Sequence, residues 1–292
     1  LALAGFGLLH LLSIALISPI SANRALPLRT YLTAVWIFAG FGCAFWAFKV
    51  KTIGIMAAWV VITLVVSGLA IVNVVSNHDQ LSLRVRRDIP VNPAKRFLAF
   101  LFYNGAAGGL IWLGLITSAT YGISAFMMHW VPGRFSGFSG GMPEFVDDFD
   151  TMVPALVLYG FAYALTALFI QRRFFSRRPP KLAGIITILL PAIWALVPNI
   201  FLFFTNRLSF HEMERNQLGN IFNVFMVKEY PQRLSHLICA GIWFALMVVL
   251  NLKWFSEQRK EFRPLEKYTG PKAAPLNAVP PRLPAETRVV ES

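Results

Sequence analysis

Five histidines, two cysteines and one run of carboxylates are the residues of this 292-residue chain whose types could do chemistry. Haem or metal ligation by paired imidazoles needs two histidines at matching depth on facing helices. Only His129 and His236 roughly meet that condition; His10 falls inside the first hydrophobic stretch, and His78 and His211 fall in loops. There is no HExxH run and no Cys/His cluster, and Cys43 and Cys239 sit singly in or beside apolar stretches as small packing residues. Glu144, Asp147, Asp148 and Asp150 could bind a divalent cation or supply an acid–base pair. The stronger reading is a solvated acidic loop before a helix. Asp150 and Thr151 suit a helix N-terminus, and Pro154 is tolerated in a first turn. No nucleophile setting for Ser/His/Asp hydrolysis and no phosphate-cradling glycine loop is present. The sequence therefore predicts no catalytic residue, no cofactor and no metal, and a chain that does not itself hydrolyse nucleotide.

Those residues hang on a very apolar framework. Hydrophobic residues make up 56% of the chain, which leaves a soluble globule with far too much apolar surface to cover. Seven stretches have the length and composition of membrane helices: Leu1–Ser18, Tyr31–Phe48, Gly54–Ser76, Phe97–Tyr121, Thr151–Ile170, Leu182–Phe204 and Leu237–Leu250. None of them holds Asp, Glu, Lys or Arg. The expected fold is all-α, a polytopic integral membrane bundle of about seven helices. Its transmembrane domain spans 1–260, and a disordered, Pro-rich cytoplasmic tail spans 261–292. The chain opens on Leu1 inside an apolar helix, without signal-peptide features, and reads as a fragment whose upstream part is missing.

Charge orients this bundle. Twenty of the 27 basic residues lie on alternate loops and the tail, and the opposite loops carry seven together with the acidic run. By the positive-inside rule the basic side is cytoplasmic, with the C-terminus inside a bacterial cytoplasmic (inner) membrane. The net charge of +13 is thereby explained by topology. Nucleic-acid binding would want basic residues interleaved with aromatics on one face, which the chain lacks.

Between the spans, Asn77–Lys95 reads as a short interfacial helix. Leu81, Val85 and Ile89 form an apolar stripe, and Arg84, Arg86 and Arg87 turn to water or lipid phosphate. The stripe serves as an anchor or as a docking surface for a partner. On the outer side, Leu218, Ile221, Phe222 and Phe225 make a helix-like pattern. Gly105, Gly108 and Gly109 form a small-residue face with a GxxxG spacing, which favours packing within the chain over a homo- or heterodimer interface. Pro191 and Pro198, followed by Asn199, interrupt the sixth span, as a simple kink or as a broken helix lining a substrate path. Asn73, Asn104 and Asn199 are the main polar residues within the spans; they can line a path or bond helices together but supply no coupling charge.

A protein with several spans, a cytoplasmic helical loop and no energy source of its own suits a membrane subunit driven by a separate ATPase. The run Arg84-Val-Arg-Arg-Asp-Ile-Pro-Val-Asn-Pro with Phe97-Leu-Ala-Phe-Leu-Phe-Tyr-Asn-Gly-Ala-Ala-Gly-Gly resembles bacterial permeases of the ABC-2 type. Pro198-Asn-Ile-Phe and Leu218-Gly-Asn-Ile-Phe-Asn-Val-Phe extend the resemblance to about half the chain. The resemblance implies a permease subunit in the lipid bilayer, a separate ATP-binding partner docked on Leu81–Ile89, and substrate export or extraction. The alternatives are a non-catalytic membrane scaffold or assembly protein and an intramembrane enzyme acting on lipid or cell-wall precursors near Asp147–Asp150.

Overall fold

In hydrocarbon every backbone N–H and C=O must find a partner within the protein, so an apolar chain without strand periodicity is driven into helices. A computed structural model of the chain shows this outcome. It describes residues 23–50, 54–77, 81–130, 142–205, 217–227 and 229–264, with isolated positions between 7 and 17. In chain order the helices are α1 (Ala25–Val50), α2 (Gly54–Val75), α3 (Leu83–Arg87), α4 (Pro93–Phe102), α5 (Ala106–Trp130), α6 (Met142–Phe174), α7 (Lys181–Phe204) and α8 (Tyr230–Glu261). A 3₁₀ turn, Asn223–Phe225, precedes α8, and no strand occurs among the described residues. Six of these helices are long and apolar enough to cross a bilayer, so the chain is a multi-pass membrane protein. The expected first span, Leu1–Ser18, lies largely outside the described residues, as does 265–292 of the expected tail.

Hydropathy located the crossings but misjudged several ends. The α8 helix has 32 residues, about 48 Å at 1.5 Å per residue, and so outruns a hydrocarbon core of about 30 Å. Helical hydrogen bonding does not stop where hydrocarbon does. For the same reason α6 begins at Met142, which corrects the reading of Glu144–Asp150 as a loop and leaves Pro154 well inside the helix. The α7 helix likewise runs unbroken through Pro191 and Pro198, where an interruption was expected. One turn past Ala195, the Asn199 side chain donates back to the Ala195 carbonyl at 2.8 Å and reinforces this stretch.

The expected single span Phe97–Tyr121 is in fact two helices. Asn92 caps α4 by accepting from Ala94 N and Lys95 N, and Pro93 takes the first turn. The helix stops at Tyr103, and the break runs through Gly105 at φ +134°, a conformation that favours glycine. Asn104 sits in this break. Its Oδ1 accepts from Ala25 N at 2.8 Å, and its own N–H donates to Asn23 Oδ1 at 3.1 Å. The break thus caps the start of α1.

Arg29 closes the other half of this junction. It was expected in a loop, but it lies in the second turn of α1 and is 2% exposed. Its guanidinium donates to the carbonyls of Leu101 (2.8 Å), Tyr103 (2.6 Å) and Gly105 (3.1 Å). The first two are carbonyls that α4 leaves without intrahelical partners at its C-terminal end, where a cation also complements the helix dipole, and the third also accepts from Gly109 N at 3.3 Å.

The glycines after the break allow close approach within the chain. A Cβ on Gly108 would collide with the Phe100 carbonyl oxygen, and one on Gly109 would collide with the Arg29 guanidinium and crowd Val74. The small-residue face therefore packs α5 against α4, α1 and α2, and Gly105 belongs to the break. Gly108→Ala is expected to push α4 away from α5 and to cost about 1–3 kcal/mol, read as a lowered thermal unfolding midpoint in detergent.

The α6 and α8 helices form the most extensive pair, and α6 is buried on several sides, with Ala155, Ala162, Ala164 and Ala167 all fully buried. At the basic end Asn251, also fully buried, donates to Leu165 O and Met247 O and accepts from Arg172, whose guanidinium lies 4.2 Å from the centre of the Trp254 ring. The outward faces of α1 and α7 leave Phe38, Phe41, Phe201 and Phe204 exposed, as suits helices that meet lipid tails.

Candidate functional site

Residues 217–227 cross between α7 and α8 without forming an α-helix, and their polarity is inverted. Gln217, Asn220 and Asn223 are buried, whereas Leu218, Phe222, Phe225 and Met226 are exposed. A segment meeting water would do the opposite. Irregular backbone at membrane depth is tolerated only where its polar groups are satisfied inside protein, and this segment satisfies them against α6, α7 and α8.

Two adjoining networks do this. In the first, Gln217 donates to Asn199 Oδ1, Asn220 donates to Gln217 Oε1 at 2.7 Å, and Asn220 Oδ1 accepts from Phe222 N at 3.0 Å. In the second, Gly219 is held from both sides of its peptide. Its N–H donates to Tyr159 Oη at 3.1 Å, and its carbonyl accepts from the Tyr163 hydroxyl. Gly219 has φ +97°, and a Cβ there would lie 3.1 Å from the Trp194 ring, so the residue must stay small.

His236 occupies the middle of the second network and is 2% exposed. Its Nε2 lies 3.3 Å from Asn223 Nδ2, and its Nδ1 lies 3.3 Å from Tyr159 Oη. With the Asn223 amide as donor, Nε2 accepts, so the imidazole is neutral and carries its proton on Nδ1, pointed at Tyr159. Tyr159 Oη thus lies between the His236 ring and the Gly219 N–H. The contacts run from Asn223 through His236 to Tyr159 and Gly219, and Gly219 also lines an outward-facing groove. That groove, of about 590 Å³, lies between α7 and α8 and is floored by Gly219. Trp194 and Trp243 stand over it with ring centres 5.5 Å apart.

The histidine pair singled out by depth has different partners. His129 lies 2.7 Å from Asp150 through Nε2 and Oδ2, and Tyr121 bonds the other oxygen of Asp150 at 3.5 Å. Asp148 pairs with Arg233. The two carboxylates thus tie α6 to α5 and to α8 at the acidic end. The side chains of Glu144 and Asp147, and the residues His78 and His211, lie outside the described residues.

At the basic end, Ser82 caps α3 by accepting from Val85 N. The predicted stripe turns inward. Val85 and Ile89 are buried, and Ile89 packs with Leu81, Ala99, Phe100, Tyr103 and Phe262. Phe262, the first residue after α8, is itself 5% exposed and stacks edge-on with Phe100 and Tyr103. The residues left facing outward are Leu83, Arg84, Arg87 and Asp88, with Arg86 half-buried. The stripe of Leu81, Val85 and Ile89 is therefore spent inside the molecule, and an outside partner meets the opposite, basic face. Of the pathway candidates, Asn104 serves the α4–α5 break, whereas Asn199 joins the buried amide network.

Sequence reasoning passed over Tyr159, Tyr163, Gln217, Gly219, Asn220 and Asn223. The signal was present: Gln217, Asn220 and Asn223 recur every third residue, opposite the apolar pattern that was noticed. The fold and this polar site define a multi-pass α-helical membrane protein with a non-helical segment sealed into the bundle by buried amides, tyrosines and one neutral histidine. No family model, curated protein or solved structure matches the chain.

Proposed function

We propose that this chain is the membrane subunit of a transport system energised by a separate ATPase. The observation that carries the reading is the mechanical connection of α3. Its outward face presents Leu83, Arg84 and Arg87, while the residues flanking its two ends, Leu81 and Ile89, pack against α4 and against Phe262 at the end of α8. A push on α3 is passed to the α4–α5 break and to α8, the helix that carries His236 and one wall of the groove. A rigid connection of this kind between a basic docking face and the bundle interior is what an ATP-driven permease needs. In this reading the basic end faces the cytoplasm of a bacterial cell, in keeping with the sorting of Lys and Arg.

The test is retention of an ATP-hydrolysing partner. Purified in mild detergent from its native host, the protein should carry an ATPase. Arg84→Glu with Arg87→Glu should release that partner by reversing charge at the docking face, with the unfolding temperature unchanged because both side chains are exposed. Purification without any ATPase activity sinks the reading.

A further inference from the structure

We propose that the groove between α7 and α8 holds one acyl chain of a membrane amphiphile, which makes lipid-like molecules the ligand class of this protein. The occupant follows from the inverted polarity of residues 217–227. Leu218 on the groove wall is 46% exposed while Gln217 and Asn220 on either side of Gly219 are buried, so this surface was built to meet hydrocarbon. Ile238, Ile242 and Leu246 continue the wall along α8 at 53%, 66% and 53% exposure. From Ser235 to Leu246 the groove follows α8 for about 16 Å at 1.5 Å per residue, the reach of an extended acyl chain.

Helices do not collapse onto this groove because Gly219 is pinned from behind. Its N–H and carbonyl are held by Tyr159 and Tyr163, and its backbone conformation admits no side chain that could fill the space. Trp194 and Trp243 supply flat, rigid walls. Water has too few polar groups to bond in such a lining, so lipid tail is the filling available in the membrane. Its gain there is close packing against the walls, since tail and protein surface are equally apolar. The headgroup lies beyond Ser235, near the start of α8, where the helix reaches Glu229 and Arg233.

The inference rests on the membrane placement of α7 and α8 and, for its second arm, on the proposed transport function. The probe is phosphatidylcholine with a diazirine near the middle of one acyl chain, in nanodiscs containing the full chain. Light-induced adducts should concentrate on Leu218 and Ser235–Leu246, well above those on Val61, Val65 and Leu69, which are equally exposed on α2. Ile242→Trp, and separately Leu246→Trp, should abolish the groove adducts and leave the α2 adducts unchanged. Each replaces an exposed apolar residue, and a second variant covers the failure of either to fold. Adducts at equal density on both faces, or groove adducts that survive both substitutions, overturn the proposal.

The chain is that of a resident lipid of the bilayer, because the groove opens along α8 on its lipid-facing side. A pre-bound diazirine lipid should therefore stay in the groove when ATP and the co-purified ATPase are added; ATP-accelerated loss overturns the assignment to a resident lipid. The adduct map needs no ATPase, so failure of the transport reading and failure of this one are distinguishable.

Discussion

Arg29→Met should cost the protein about 3–5 kcal/mol, seen as a large fall in the thermal unfolding midpoint and as aggregation in mild detergent. Methionine keeps much of the length and apolar bulk of the side chain but removes every donor. The carbonyls of Leu101 and Tyr103 then lose the Arg29 donor at the α4–α5 break, and that of Gly105 keeps Gly109 N at 3.3 Å. Each buried carbonyl left without a donor costs about 1–3 kcal/mol. The carbonyl of Leu101 lies wholly in the interior, that of Tyr103 only partly so, and that of Gly105 keeps a backbone donor, which puts the sum below three full penalties. Trp112 also loses the cation 5.8 Å from its ring centre. Arg29→Lys should recover part of the loss, because an ammonium carries the charge but cannot span three carbonyls as a planar guanidinium does. An unchanged midpoint for Arg29→Met would show that water reaches the break.

His236→Leu is the second large effect, at about 2–4 kcal/mol. The substitution leaves the Asn223 amide and the Tyr159 hydroxyl facing an alkyl group, and both are buried. Asn223→Leu should cost less, because His236 keeps Tyr159. The double substitution should cost clearly less than the two single losses added together, since each removes the group that the other strands. Strict additivity in the unfolding midpoints would mean that the 3.3 Å contact between Asn223 and His236 contributes nothing.

Much of the fold was legible in the residues, and particular elements show where that ended. The crossings were readable because the cost of burying charge in hydrocarbon is large, and long runs without Asp, Glu, Lys or Arg stand out. The ends of α6 and α8 were not, because a helix keeps its hydrogen bonds after its sequence turns polar. The α4–α5 break lay hidden in Phe97–Tyr121 because hydropathy does not register backbone conformation; only Asn104-Gly105 hinted at a break. Arg29 was read as a loop charge, since nothing local shows that three carbonyls more than 70 positions away await it.

The candidate site was legible in outline only. The three-residue recurrence in Gln217–Phe225 describes two faces equally well, and choosing which turns inward needs the neighbours. Tyr159, Tyr163 and His236 decide it by offering polar partners on the inner side, while lipid waits on the other. The stripe of Leu81, Val85 and Ile89 shows the same ambiguity, since an apolar face can be covered by a partner or by the chain itself, and here Phe262, at the boundary of the expected tail, packs against it.

By itself, then, the sequence determined the membrane class, the all-α framework and the sorting of charge to opposite ends, because transfer of charge and apolar surface between water and hydrocarbon is a property of composition along the chain. Tertiary structure alone decided that Arg29 caps a broken helix, that a polar segment is turned inside out against His236, and that a groove stays open above Gly219. Those are pairings between distant residues, and a hydrogen bond is specified by both of its ends.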